Sequence, residues 1–276
     1  MMNAYSPKEY WTEVAENFGS ADSAGFAPVL HPGAPDWFNR TIDELQFRAV
    51  RRALGCARLA AGARILDVGC GTGRWLRRYT EMGYRAAGID ATAAMLSTAR
   101  RQETNAPLIC GEVQRLPIAD GTFDCVSDIT VVQHLPLALQ AGAIAEMIRV
   151  LKPQGRLILM ELIRGKGAHI FARPPEDWIQ QATASGAKLV RWFGEEFLLL
   201  DRLFTGTAQW IGRGRRNHQP DQPLPAKSAA QPHTGARRFY WKLRHITLPL
   251  SARLDAVTQK ICPPSLATHG VFIFQK

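Results

Sequence analysis

The stretch Arg64 to Trp75, RILDVGCGTGRW, holds the residues whose types and spacing best suit chemistry: an apolar strand, an acid at its end, then Gly69, Gly71 and Gly73 opening a helix. Glycines let the chain turn tightly and let a ligand approach the main chain where no Cβ intervenes. The N–H groups at the helix start favour polar ligand atoms. A dinucleotide fingerprint spaces its glycines G-x-G-x-x-G and brings a pyrophosphate to the helix end. Here the third glycine comes one residue early, and Asp67 stands just before the loop. An anion at that point repels a pyrophosphate and suits a ligand that carries positive charge. Asp90 follows at the end of the next apolar run, in AAGIDAT. A carboxylate there can accept two hydrogen bonds from a ribose diol; it can also cap the following helix, although Thr92 is the better cap. Gly111-Glu112-Val113 ends a third run, where an acidic group can meet an adenine amine.

The elements that must position these residues read as short apolar strands alternating with helices, the sequence form of a parallel α/β sheet. Strands are expected at Arg64–Val68, Arg85–Ile89, Leu108–Cys110, Phe123–Ile129, Gly155–Leu162, Lys188–Phe193 and His269–Gln275. Helices are expected at Gly73–Met82, Ala93–Glu103, Ala138–Leu151 and Pro175–Ser185. Ahead of them, Tyr10, Trp11, Val14, Ala15 and Phe18 recur at helical spacing, and a second helix starts where Asp36 can cap it. In the last quarter, Phe239, Leu243, Ile246, Leu250 and Leu254 keep a helical interval that Pro249 is expected to break or kink.

Taken together, ILDVGCGTG at 65–73, Asp90, GEVQRLPIADGTFDCV at 111–126, DITVVQHL at 128–135 and RVLKPQGRLIL at 149–159 resemble the class I S-adenosylmethionine-dependent methyltransferases, in their type 11-like, small-molecule branch. The resemblance runs over about residues 63–193 and the last strand. It implies a Rossmann-like seven-stranded sheet of order 3-2-1-4-5-7-6 with strand 7 antiparallel and helices on both faces. It also implies S-adenosylmethionine as cofactor, held by Asp67, Gly69, Cys70, Gly71, Gly73, Asp90, Ala91, Met95, Glu112 and Val113. Asp128, Ile129 and Thr130 then receive the methionine end. Many members carry Asp where this chain has Glu112, whose longer side chain can still reach an adenine amine. Met95 is equally open to being plain core. His134, just past the fourth strand, is a candidate proton acceptor, with a packing or backbone-bonding histidine as the alternative. Glu161, at the end of the fifth strand, and Tyr10, on an N-terminal helix that in relatives often lies across the cofactor, are further pocket candidates with a catalytic role, and Trp11 on the same helix and His134 are candidate substrate contacts. No metal ligand pattern is present.

The divisions that follow are an N-terminal helical lid and cap at 1–58, a cofactor-binding core at 59–200, a basic insertion at 201–266 with a mobile loop at about 212–238, and the last core strand at 267–276. The net charge of +10 is uneven: residues 1–200 sum to +1 and residues 201–276 to +9. The basicity therefore describes the insertion and bears on the acceptor it helps to hold. Arg237, Arg238 and Tyr240 are the residues expected to meet an anionic acceptor, an isoprenoid diphosphate among the possibilities, although such strings are more often solvated surface. A nucleic-acid acceptor is less favoured, since no N-P-P-Y or D-P-P-Y follows the fourth strand. A cofactor-binding partner protein without turnover is a third reading. No apolar run reaches the roughly 18 residues that span a bilayer. The first residues, MMNAYSPKEYW, lack a signal peptide's basic and apolar regions. Five cysteines without metal spacing read as reduced, mostly buried thiols of a cytoplasmic protein.

Overall fold

The structure is a computed structural model that describes residues 5–18, 29–32, 34–102, 105–165, 167, 169–203 and 235–276, with the backbone alone at 235–238. Helices α1 (Pro7–Phe18) and α2 (Asp36–Ala57) precede the alternating part. This runs β1 (Arg64–Val68), α3 (Arg74–Glu81), β2 (Arg85–Asp90), α4 (Ala93–Arg101), β3 (Leu108–Cys110), β4 (Phe123–Ile129), α5 (Leu137–Val150), β5 (Leu151–Leu162), α6 (Pro175–Ala184) and β6 (Lys188–Glu195). A long helix, α7 (Gly235–Ile261), and β7 (His269–Gln275) complete the described chain. The seven strands form one sheet of order β3-β2-β1-β4-β5-β7-β6, in which β7 is antiparallel to both neighbours.

Both faces of this sheet are covered, so its strands alternate between two apolar cores and show no polar side. Leu66, Val126, Leu157 and Leu159 face α5 and α6, where Ile144, Met147 and Trp178 pack. Their neighbours Ile65, Cys125, Ile158 and Met160 face α2 and α3, against Ala49, Val50, Ala53 and Leu76. A buried polar joint ties those two helices together. Asp43 of α2 accepts from Arg74 at 2.7 Å and from Arg78 at 2.5 and 2.9 Å, and Gln46 accepts from Arg74 at 2.9 Å. Although burial opposes it, the two guanidiniums hold the Asp43 carboxyl below its usual range.

Several boundaries differ from the expectation. β5 starts at Leu151, pairing with Phe123 across a bulge before the regular ladder begins at Arg156. Pro35, not Asp36, occupies the N-cap of α2; Asp36 is the first helical residue and its charge serves the helix dipole. Cys110 is exposed, whereas Cys70 and Cys125 are buried, and all five thiols are free. The expected loop at 212–238 lies outside the described residues up to 234, and from Gly235 it is already helix.

α7 also continues through Pro249. It is pinned to residues 197–201 on both sides of the proline: Thr247 donates to Asp201, Ser251 accepts the Asp201 N–H, and Asp255 accepts the N–H groups of Phe197 and Leu198. These tertiary bonds outweigh the one helical bond that proline removes.

Replacing Asp43 by Ala leaves the Arg74 charge buried and uncompensated. The expected cost is about 3–5 kcal/mol, read by urea unfolding; a loss below about 1 kcal/mol contradicts the role given to this joint.

Candidate cofactor and acceptor site

The turn from β1 into α3 is built by three residues in the left-handed region: Gly69 (φ 63°), Gly71 (φ 52°) and Gly73 (φ 77°). Space enforces the choice as well as torsion. A Cβ on Gly69 would come within 2.5 Å of Val131, and one on Gly71 within 2.7 Å of Val29. Asp90, arriving on the adjacent strand, locks the turn. Its carboxylate accepts the Gly71 N–H at 2.9 Å and the Thr92 N–H at 2.8 Å. Two of its roughly four acceptor positions are thereby used, and two remain for a ligand. Thr92 holds the N-cap position of α4 without a side-chain bond.

These residues open onto a cavity of about 290 Å³. Gly69, Cys70 and Gly71 form one wall, with Asp90 and Ala91 beside them. Met95, Glu112 and Val113 line the end beyond β2 and β3. Ile129, Thr130 and His134 line the end beyond β4, and Trp11 of α1 closes over it. Thr130 takes a left-handed φ of 61° and is held by its N–H on the Met160 carbonyl at 2.8 Å. Met95 is buried against Val14 and Ala15 of α1, so the floor of the cavity and its lid are one apolar cluster.

Five expected contacts sit elsewhere. Gly73 serves as the N-cap of α3 and does not line the cavity. Asp67 is buried behind the wall that begins at Val68, accepting the Ser127 hydroxyl across the β1–β4 pairing at 2.8 Å. Its Oδ2 has no hydrogen-bond partner among the described residues, and burial raises the carboxyl to about 7. Asp128 is fully buried behind Ile129. Glu161 is the clearest correction. It is not a wall residue but a latch, accepting the N–H groups of Val131, Val132 and Gln133 at 2.8–3.0 Å and so fixing the loop that carries His134. Burial raises Asp128 to about 7, and burial together with the neighbouring Asp128 charge raises Glu161 well above the usual carboxyl range. Tyr10 lies one layer out, with its ring stacked on His169 at 4.4 Å.

His134 has a defined tautomer. Gln133 Oε1 accepts the Leu162 N–H at 2.7 Å, which leaves Gln133 Nε2 as donor to His134 Nε2 at 3.3 Å. His134 Nδ1 therefore carries the proton and donates to the His169 carbonyl at 2.9 Å. Burial lowers this imidazole to about 4, so it is neutral at physiological pH. Trp11 meets its ring edge-on at 5.0 Å, and the Tyr5 hydroxyl donates to its backbone carbonyl at 3.0 Å. The N-terminal helix is thus fastened to the loop after β4.

Arg74 and His169 carried no expectation. Arg74 lines the cavity as a buried cation, and its place directly after the third glycine was the available signal. Among the expected acceptor residues, Arg237 and Arg238 have side chains outside the described residues. Tyr240 packs with Trp241 and accepts from Arg244 at 2.9 Å, and no described residue of α7 lines the cavity. The inserted helix instead packs on Phe38, Ile42 and Leu45 of α2.

Residues 66–159 match the family model described as "Methyltransferase domain". Over that stretch the chain is similar to methyltransferase domains, and the sheet order β3-β2-β1-β4-β5-β7-β6 agrees with the resemblance to class I S-adenosylmethionine-dependent methyltransferases. The chain is 36% identical over 132 residues to malonyl-acyl-carrier-protein O-methyltransferase of Erwinia pyrifoliae, covering 47% of this chain and 48% of the relative. It is 32% identical over 134 residues to demethylmenaquinone methyltransferase of Beutenbergia cavernae, covering 49% and 50%. The chain thus spans about half the length of the curated relatives it matches. Among solved structures, the 4+2 cyclase SpnF superposes with a TM-score of 0.60 at 18% identity, covering 98% of this chain and 94% of that one, a likeness of fold. No group of three or more metal-ligating side chains occurs among the described residues.

The buried acids set a pH dependence. A carboxyl near 7 when folded and 3.8 when unfolded holds a proton in the folded state that the unfolded state has released. Their stabilising contribution is full below about pH 3.8 and is lost as pH rises through 7. Urea unfolding between pH 5 and 8 is expected to show this decline and a shallower one for Asp128→Asn; an unchanged slope in the variant contradicts it.

Proposed function

We propose that the protein binds S-adenosylmethionine in this cavity and transfers its methyl group to a small-molecule acceptor. The observation that carries the reading is the glycine turn locked by Asp90 at the wall of one closed-over cavity. The residues present fit the group. Gly69 and Gly71 line the cavity with backbone alone, Asp90 retains acceptor positions for a ribose diol, and Met95 and Val113 give an adenine an apolar seat.

When bound, the cofactor supplies an electrophilic methyl on a positively charged sulfur. The chain's own part is to hold the acceptor in line with it and to keep water out. Trp11, His134 and Thr130 border that end, and α1 shields it. A base contributes most when its pKa lies near the working pH; His134, near 4, is poorly suited to take a proton from an alcohol. With both ring nitrogens engaged, its neutral ring forms a fixed wall beside the acceptor. The acceptor that fits is one that is nucleophilic without help, a carboxylate, enolate or phenolate. The matched curated relatives act, by their names, on a malonyl group and on demethylmenaquinone.

Titration calorimetry is expected to show S-adenosylmethionine binding that Asp90→Ala weakens by about 10- to 100-fold, the worth of hydrogen bonds to a charged acceptor. No binding by the unaltered protein contradicts the cofactor assignment. With an acceptor found by labelled-methyl screening, His134→Gln is expected to lower kcat less than about tenfold and to leave it flat from pH 6 to 8. A loss of 100-fold or more is the mark of a general base and contradicts an orienting role.

A further inference from the structure

α7 presents an apolar line to solvent that nothing in the methyl-transfer site uses. Phe239, Ile246, Leu250, Leu254, Val257 and Ile261 are 66, 70, 47, 44, 56 and 75% exposed. Their intervals of seven, four or three residues keep them on one stripe, while Leu248, Ser251, Ala252 and Asp255 face inward. At 1.5 Å per residue the stripe is about 33 Å long. A continuous apolar surface of this length marks an interaction site.

The charges beside it select the occupant. Lys242, Arg253 and Lys260 are exposed along one flank of the stripe. The two acids described in this region are withdrawn: Asp201 is buried on Arg244 at 2.6 Å, and Asp255 is buried on the N–H groups of Phe197 and Leu198. Residues 204–234 add four cations and one acid, the same sign of excess. A second copy pairing through this stripe would set cations against cations. An apolar line with a one-sided cationic border is instead the pattern of a helix lying in the surface of an anionic bilayer. No described helix is long and apolar enough to cross a membrane, so the surface is the place it can meet lipid.

We infer that the outer face of α7 docks the protein on anionic lipid surfaces, with Phe239 to Ile261 entering the interface and Lys242, Arg253 and Lys260 meeting lipid phosphates. This docking does not depend on the methyl-transfer reading.

The test is co-sedimentation of the full chain with phosphatidylcholine vesicles, with and without phosphatidylglycerol at about one-third of the lipid. The chain is expected to pellet with the anionic vesicles and to be released by salt. Lys242→Glu/Arg253→Glu/Lys260→Glu is expected to weaken binding about 100-fold, each cation contributing about fivefold. Ile246→Asp/Val257→Asp is expected to abolish it. Circular-dichroism melting shows whether each variant stays folded, and the charge variant decides the matter if the apolar one does not. Absence of binding, equal binding to neutral vesicles, or undiminished binding by the charge variant overturns the inference. So does a dimer in light scattering that Ile246→Asp disperses, which would make a second copy the occupant.

Discussion

Everything at the cavity depends on the turn between β1 and α3 closing as it does. Left-handed glycines at 69, 71 and 73 turn the backbone so tightly that only five residues separate the end of β1 from the start of α3 at Arg74. The Asp90 carboxylate holds the middle of that turn by the Gly71 N–H. Because β2 lies beside β1 in register from Arg64 with Arg85 to Val68 with Ile89, the acid arrives at the turn without any further device. The parallel order of the sheet thus brings one side chain, Asp90, both to the backbone lock and to the cavity wall. Any change that moves β2 relative to β1 disturbs both.

A second constraint lies on the opposite wall. The loop after β4 leaves the sheet through Thr130 in a strained left-handed conformation, and Glu161 collects the next three N–H groups. Burying a carboxylate is costly unless it is fully hydrogen-bonded, and here those bonds also decide where His134 stands. The lid is attached to the same loop through Tyr5 and Trp11, so cofactor wall, acceptor wall and lid are mechanically continuous. That continuity holds the His134 ring in one orientation beside the cavity.

The parts legible in the sequence were those with local causes. The glycine spacing, Asp90 at a strand end and the alternation of strands and helices each depend on residues a few positions apart. Glu161 was misread as a wall residue because its three partners lie 28 to 30 positions earlier and nothing local announces them. Likewise His134 could not be judged as a base until Gln133 and His169 were seen to claim both ring nitrogens. Pro249 looked like a break because its cost is local, whereas the bonds from Thr247, Ser251 and Asp255 that overcome it are tertiary. The basic last quarter was read as part of the acceptor site; its described helix packs away from the cavity and turns its apolar stripe outward.

If the glycine turn and Asp90 together seat the cofactor, a crystal structure with S-adenosylhomocysteine will show it. Both ribose hydroxyls are expected within hydrogen-bond distance of the Asp90 carboxylate, with the adenine against Met95 and Val113. A ligand seated elsewhere, or one whose ribose avoids Asp90, would contradict it.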